Sequence, residues 1–139
     1  SRDDNFELLK NKLPEKFDII YLDSLHEAKH IEKIFYYYYN FLKINGQFYI
    51  DDISWLPYLK NKDRNNFYCE INNKETFEKL LEIYDNNKNN FDIFFTFVSS
   101  GMCRIIKKKE DLVKPISIKT RENSPKNLIR NILNKYFKK

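Results

Sequence analysis

Three carboxylates and one imidazole stand at the ends of two apolar runs. Asp23 closes the run Phe17–Leu22, Asp51 and Asp52 close the run Gln47–Ile50, and His26 follows Asp23 by three residues. Carboxylate oxygens are the hard ligands that Mg²⁺ takes, usually one or two of them, with water and substrate oxygens completing the shell. Three such acids gathered without a cation repel one another and raise at least one pKa. A dication relieves that conflict; it also acidifies a coordinated hydroxyl and clamps it in place. An imidazole titrates near neutrality, so one beside the acids suits removal of a hydroxyl proton. In a turn that opens a helix, a spacing of three brings Asp23 and His26 toward one cleft. Blander roles exist for each. His26 can simply hydrogen-bond Asp23 to brace the loop, and Asp51-Asp52 can be a solvated strand exit.

Two strands and a helix must position these groups. The run FDIIYL is apolar and β-branched with little alternation, which suits a strand covered on both faces of a parallel sheet. QFYI is a second such run. Between them Ile31, Ile34, Phe35, Tyr38, Phe41 and Leu42 recur at helical spacing. Asn45-Gly46 reads as the helix stop, because Gly tolerates the left-handed conformation of a helix end. A strand–helix–strand crossover of parallel strands is right-handed. Ligands of such sheets bind outside the carboxyl ends of the strands, where all four groups lie.

The order and spacing of these pieces resemble class I S-adenosylmethionine-dependent methyltransferases, in the group of catechol O-methyltransferase-like and macrocin-type sugar O-methyltransferases. The family's D-G-x-H-x-Y stands here as Asp23-Ser24-Leu25-His26-Glu27-Ala28, without the Gly and the Tyr. Its K-P-G-G turn stands as Lys43-Ile44-Asn45-Gly46. The resemblance covers Ser1 to Lys109. It implies metal-assisted O-methylation with S-adenosylmethionine as methyl donor. Asp23 matches the first metal acid, Asp51 and Asp52 match the acidic pair, and His26 falls where some relatives carry the catalytic base. Ser1, Arg2 and Asp3 match a segment that borders the cofactor's adenine, and Asp23 also lies on the cofactor side. The fold implied is a Rossmann-like α/β domain, three-layered, with a mostly parallel sheet that ends in an antiparallel hairpin. The family's glycine-rich first loop has no counterpart: the chain holds two glycines, Gly46 and Gly101. The chain therefore reads as the C-terminal portion of a methyltransferase-like domain without its N-terminal strands, or as a divergent one, with a complete small protein as the blander alternative. Such a half-sheet would leave an exposed edge strand and an uncovered face.

Elsewhere, Asn5–Lys16 reads as a helix capped by Asp3 or Asp4 and ended by Pro14. Ser54–Asn73 reads as a loop. Trp55 and Tyr58 are either the apolar walls of a substrate lid or aromatics that tuck the loop onto the core. Lys74–Asn86 reads as a helix with Phe77, Leu80, Leu81 and Tyr84 as its stripe, Phe91–Val98 as a strand, and Gly101–Ile106 as its antiparallel partner. His30 reads as a surface helix residue without a role.

The chain has 139 residues and a net charge of +5, about one domain by length. Lys107 to Lys139 contains 11 basic and 3 acidic residues, so the basicity belongs to the tail and the remainder is net acidic. The organisation reads as a domain over 1–109 and a basic tail over 110–139, in which Asn127–Phe137 can form a short amphipathic helix. That segment packs on its own protein, leads into a linker, or meets a membrane surface or nucleic acid. Cys69 and Cys103 lack metal spacing and indicate neither a disulfide framework nor zinc, which points to a reducing, cytoplasmic setting. No apolar run approaches the ~18–20 residues that span a bilayer.

Three functions remain open on these residues. The first is methyl transfer to a hydroxyl of a small molecule or glycan. The second is a non-catalytic Rossmann-like module that binds a partner or nucleic acid through the tail. The third is a metal-dependent hydrolase or phosphoryl-transfer enzyme built on the same acids.

Overall fold

The computed structural model describes residues 3–55 and 67–114, without the side chains of 67–70, and the isolated positions 125, 126, 129 and 132. The elements are α1 (Phe6–Lys10), β1 (Phe17–Leu22), α2 (Ala28–Tyr38), β2 (Leu42–Asp51), α3 (Phe67–Asn87), β3 (Phe91–Thr96) and β4 (Met102–Lys107), with a 3-10 turn at Tyr39–Phe41. The four strands form one mixed sheet in the order β1-β2-β4-β3. β1 and β2 are parallel, and β4 is antiparallel to both of its neighbours. This is the expected Rossmann-like α/β arrangement with its terminal hairpin; the hairpin's second strand is inserted between β2 and β3.

The apolar stripe of α2 explains the core. Ile31, Ile34 and Phe35 are buried against Leu22, Phe48 and Ile50 of the sheet, and Leu80 and Ile83 bring α3 onto the same layer. Phe35 sits at the centre, with ring centroids 5.4 Å from Phe48, 5.7 Å from Phe91 and 5.3 Å from Tyr39. Tilted and edge-on pairs at these separations add to the burial itself.

Several boundaries differ from the sequence reading. Asn45-Gly46 does not stop the helix. α2 passes through the 3-10 turn into β2 at Leu42. The pair lies inside β2 at an irregularity, where the register passes from Phe17↔Leu42 to Ile19↔Gln47. Asn45, not the glycine, takes the positive φ of 64°. Gly46 is required for space: a Cβ there would lie 2.8 Å from the Lys43 carbonyl oxygen and 3.0 Å from that of Asp18. α1 is one short turn. Asn5, rather than Asp3 or Asp4, caps it by accepting from the Leu8 amide at 3.3 Å. α3 begins at Phe67, so Phe67 and Tyr68 belong to a helix and not to the loop. β3 ends at Thr96 and β4 extends to Lys107.

β1 is not covered on both faces. Ile20 and Leu22 face the helical layer, while Ile19 and Tyr21 are 60% and 54% exposed. Phe94 lies on the same open face, across Arg104 from Tyr49, and is 47% exposed. Among the described residues the helices lie on one side of the sheet, so two layers of the expected three-layer stack are present. An apolar run without alternation signals two covered faces only where both layers exist.

Lys107 is also not part of a solvated tail. Its side chain is fully buried, and Nζ donates to the carbonyls of Tyr39 (2.9 Å) and Leu42 (2.8 Å) and to Glu110 Oε2 (2.5 Å). Most of the amphipathic stretch 127–137 lies outside the described residues; at the positions described, Ile129 and Ile132 are exposed. No helix among the described residues is long and apolar enough to cross a membrane.

Candidate functional site

Parallel pairing sets Leu22 beside Ile50, so the two strands leave the sheet together and deliver Asp23 and Asp51-Asp52 to one edge. His26, in the turn between β1 and α2, lies between them. Its Nε2 is 3.5 Å from Asp23 Oδ1 and 3.3 Å from Asp52 Oδ2. All three side chains reach solvent, at 60% exposure for Asp23, 37% for Asp52 and 27% for His26. Asp52 adopts a φ of 56°. That left-handed conformation is uncommon outside glycine, although Asp tolerates it better than most, and it occurs where surrounding structure imposes it.

The surrounding structure here is the turn between β3 and β4. Ser54 donates its amide to the Ser100 carbonyl at 2.8 Å. Gly101, at φ 81°, lies so close that a Cβ would be 2.6 Å from Ser54 Cβ and 2.7 Å from Ser54 N. The Ser100 hydroxyl in turn donates to Asp51 Oδ1 at 3.1 Å. A hairpin turn far along the chain thus fixes the exit of β2.

Asp51 points its oxygens inward to this scaffold. Oδ2 accepts from the Tyr21 hydroxyl at 2.7 Å, and Oδ1 accepts from the Asp52 amide at 2.8 Å as well as from Ser100. Partial burial pushes its carboxyl up, but the bonds from Tyr21, the Asp52 amide and Ser100, with the His26 charge, hold it below the ordinary carboxylate range. Tyr21 feels the opposite effect. The bond to Asp51, partial burial, and the charges of Asp51, Asp23 and Asp52 push its phenol up to about 12. One phenol therefore senses all three acids, as their gathering at one edge requires.

The expected residues thus divide into groups. Asp23, His26 and Asp52 come together. Asp51 stands behind them as a braced carboxylate. Trp55 is fixed, with ring centroids 4.7 Å from Phe77 and 5.7 Å from Phe97, so it packs onto α3 and the end of β3. Ser1, Arg2 and Tyr58 lie outside the described residues. Asp3 is described, and it lies at the same end of β1 as the acids. His30 Nε2 is 3.2 Å from Asp3 Oδ2 and 3.4 Å from the Ser24 hydroxyl.

Two residues escaped the sequence reading. His30 is only 8% exposed, not a surface residue. Its position one helical turn after His26 was visible, but nothing in the sequence places Asp3 against it. Tyr21 looks like any strand aromatic until its register opposite Tyr49 turns it onto the open face beside Asp51.

Among the described residues no group of three or more His, Cys, Asp or Glu is arranged to hold a metal ion. Mg²⁺ does not demand such a cage; one or two carboxylates with water and substrate oxygens are its usual protein share. The oxygen-only pair Asp23 and Asp52, both open to solvent, is of that chemistry.

No family model matches this sequence, and no curated protein matches it. Solved structures do. The SAH-bound methyltransferase PaMTH1 of Podospora anserina superposes with a TM-score of 0.57 at 15% identity, over 78% of this chain and 47% of that one. A Staphylococcus aureus protein described as a caffeoyl-CoA O-methyltransferase superposes with a TM-score of 0.53 at 16% identity, over 77% of this chain and 49% of that one. The fold is therefore the α/β fold of these methyltransferases, and the chain spans about half the length of each.

Proposed function

We propose that the chain carries part of an S-adenosylmethionine-dependent methyltransferase site that methylates a hydroxyl of a small molecule or glycan. The observation that carries this reading is the clasp of His26 by Asp23 and Asp52 at the exits of two adjacent parallel strands. The likeness of the fold to two methyltransferases supports it.

The clasp sets the orientation of the His26 ring. With Nε2 turned to the two carboxylates, Nδ1 is the nitrogen left to take a proton. The acceptor's O–H gives its proton to Nδ1 as its oxygen attacks the donor's methyl carbon. The carbon–sulfur bond breaks, and its electron pair stays on sulfur. The charge that the ring takes up is balanced by Asp23 and Asp52, the arrangement by which a carboxylate supports a general base in other proton-transfer sites. Asp51, held by Tyr21 and Ser100, keeps the exit of β2 in place. Holding the acceptor close to the methyl and in line supplies a large share of the rate. Trp55, fixed beside the β3 exit, can form one apolar wall, with Tyr58 as its proposed partner.

Asp23 and Asp52 would hold Mg²⁺, with Asp51 as the acid behind them. The ion would supply acidification and clamping of the acceptor hydroxyl. Asp3, with Ser1 and Arg2, would border the methyl donor. Calorimetric titration of the protein with S-adenosylmethionine, with and without Mg²⁺, tests the reading. Saturable binding of the donor is expected. No binding under either condition would overturn it.

A further inference from the structure

His30 is the one buried histidine of the chain's described part, and the reaction above does not use it. It sits in the first turn of α2, and its Nε2 reaches two segments at once: Asp3, before α1, at 3.2 Å, and Ser24, after β1, at 3.4 Å. The Ser24 side chain also helps to hold the Asp3 carboxyl below its usual range. The same helix holds the Asp3 segment along its length. The Tyr38 hydroxyl donates to the Asp3 carbonyl at 3.0 Å, and the Tyr37 hydroxyl donates to the Phe6 carbonyl at 3.3 Å. Lys33 pairs with Asp4 at 3.5 Å and lies 5.0 Å from the Phe6 ring centroid, while Phe6 stacks on Tyr37 at 3.8 Å.

Most of these ties fasten backbone or aromatic surface. His30 and Ser24 act on a carboxylate that still reaches solvent, since the Asp3 side chain is 32% exposed. Partial burial pushes that carboxyl up, yet the bonds to Ser24 and His30 and the His30 charge hold it below the usual value of 3.8. A carboxylate kept ionised, oriented from behind and open in front is a prepared acceptor for the hydroxyl or amino groups of a ligand.

We propose that His30 is a positioning residue: together with Ser24 it aims the Asp3 carboxylate across the β1 exit, so that the segment before α1 and the turn after β1 form one wall of the methyl-donor site. This rests on the reading of that site given above. The ligand chemistry is a polar nucleoside edge that donates hydrogen bonds. His30 touches no reacting atom and acts through Asp3.

Two measurements on His30→Ala, His30→Gln and Asp3→Ala test it, with circular dichroism to check the fold. The first is binding of S-adenosylhomocysteine by calorimetry. His30→Ala should weaken it about tenfold, the scale of one charge-assisted hydrogen bond. His30→Gln, which keeps a donor near Nε2, should restore most of the affinity. The double variant His30→Ala/Asp3→Ala should bind no more weakly than Asp3→Ala alone, because the two act in series. The second measurement is the carboxyl titration of Asp3 by carbon-13 NMR, which needs no ligand. In His30→Ala it should move up toward 3.8. If the parent binds no S-adenosylhomocysteine while the Asp3 titration moves, the donor-site reading fails and the His30–Asp3 contact stands. An unmoved Asp3 titration, or a His30→Ala variant that binds as tightly as the parent, overturns the positioning role.

Discussion

Lys107 and Tyr39 are joined twice: Nζ donates to the Tyr39 carbonyl at 2.9 Å and lies 4.7 Å from the centroid of the same residue's ring. With the bond to the Leu42 carbonyl, this ties the end of β4 to the 3-10 turn that feeds β2. A methionine at 107 would keep the stem and take the charged donor away from two buried carbonyls, of which that of Tyr39 keeps the Leu42 amide. Lys107→Met should destabilise the fold by ~2–4 kcal/mol in urea titration, the scale of lost hydrogen bonds to a charged group. Glu110 is 53% exposed, so Glu110→Gln should cost under about 1 kcal/mol. Equal losses in the two variants would contradict the buried anchoring.

The β3–β4 turn should be as intolerant as the core. Gly101 has both a positive φ and no room for a Cβ beside Ser54. Gly101→Ala should lose ~2–4 kcal/mol through strain and overpacking. It should also release Ser100 from Asp51, seen as a shifted Asp51 carboxyl resonance in NMR. A stable variant with that resonance unmoved would sever the link between the turn and the site.

The fold was largely legible because its signals are periodic. The stripe on α2 and the short turn between β3 and β4 specify a crossover and a hairpin whatever surrounds them. What lay beyond the sequence were consequences of tertiary approach. Asn45-Gly46 looks like a helix end by residue type, yet the need at Gly46 comes from the Asp18 carbonyl of the neighbouring strand. Lys107 looks like the first residue of a charged tail until Tyr39 and Leu42 fold around it. In the site, the spacing of Asp23 and His26 was readable because both lie in one turn. The choice of Asp52 rather than Asp51 as the second acid facing His26 depends on the positive φ at Asp52 and on Tyr21 and Ser100, from two other strands' surroundings.

Stability should fall at both ends of the pH scale, for different reasons. Asp3 titrates below its unfolded value of 3.8, so its contribution is present above that pH and is lost as pH falls through the folded value. Tyr36 runs the other way. Burial first, then the Glu32 charge, push its phenol up from 10.0 to about 12, against an opposing bond from Asn87. Its contribution is complete below pH 10 and is lost as pH rises through about 12. His30→Ala should flatten the acid limb, and Tyr36→Phe, which also loses the bond to the Val113 carbonyl, should flatten the alkaline limb. Denaturant titrations across pH would read both. An unchanged alkaline limb in Tyr36→Phe would contradict the assignment.

Removal of divalent ions should slow methyl transfer without preventing binding of the methyl donor, because the ion held by Asp23 and Asp52 would act on the acceptor hydroxyl. Asp23→Asn and Asp52→Asn should each weaken Mg²⁺ binding measured by calorimetry. Turnover that persists unchanged in a chelator would leave the His26 base and remove the metal from the site.

The most direct measurement is formation of S-adenosylhomocysteine from S-adenosylmethionine by the protein and by its His26→Ala variant, across a panel of catechol and sugar hydroxyl acceptors, with both proteins shown to be folded. Loss of a positioned general base should lower the rate by ~10²–10⁴-fold while leaving binding of the methyl donor intact. Equal rates in the two proteins would contradict the role of the imidazole held between Asp23 and Asp52.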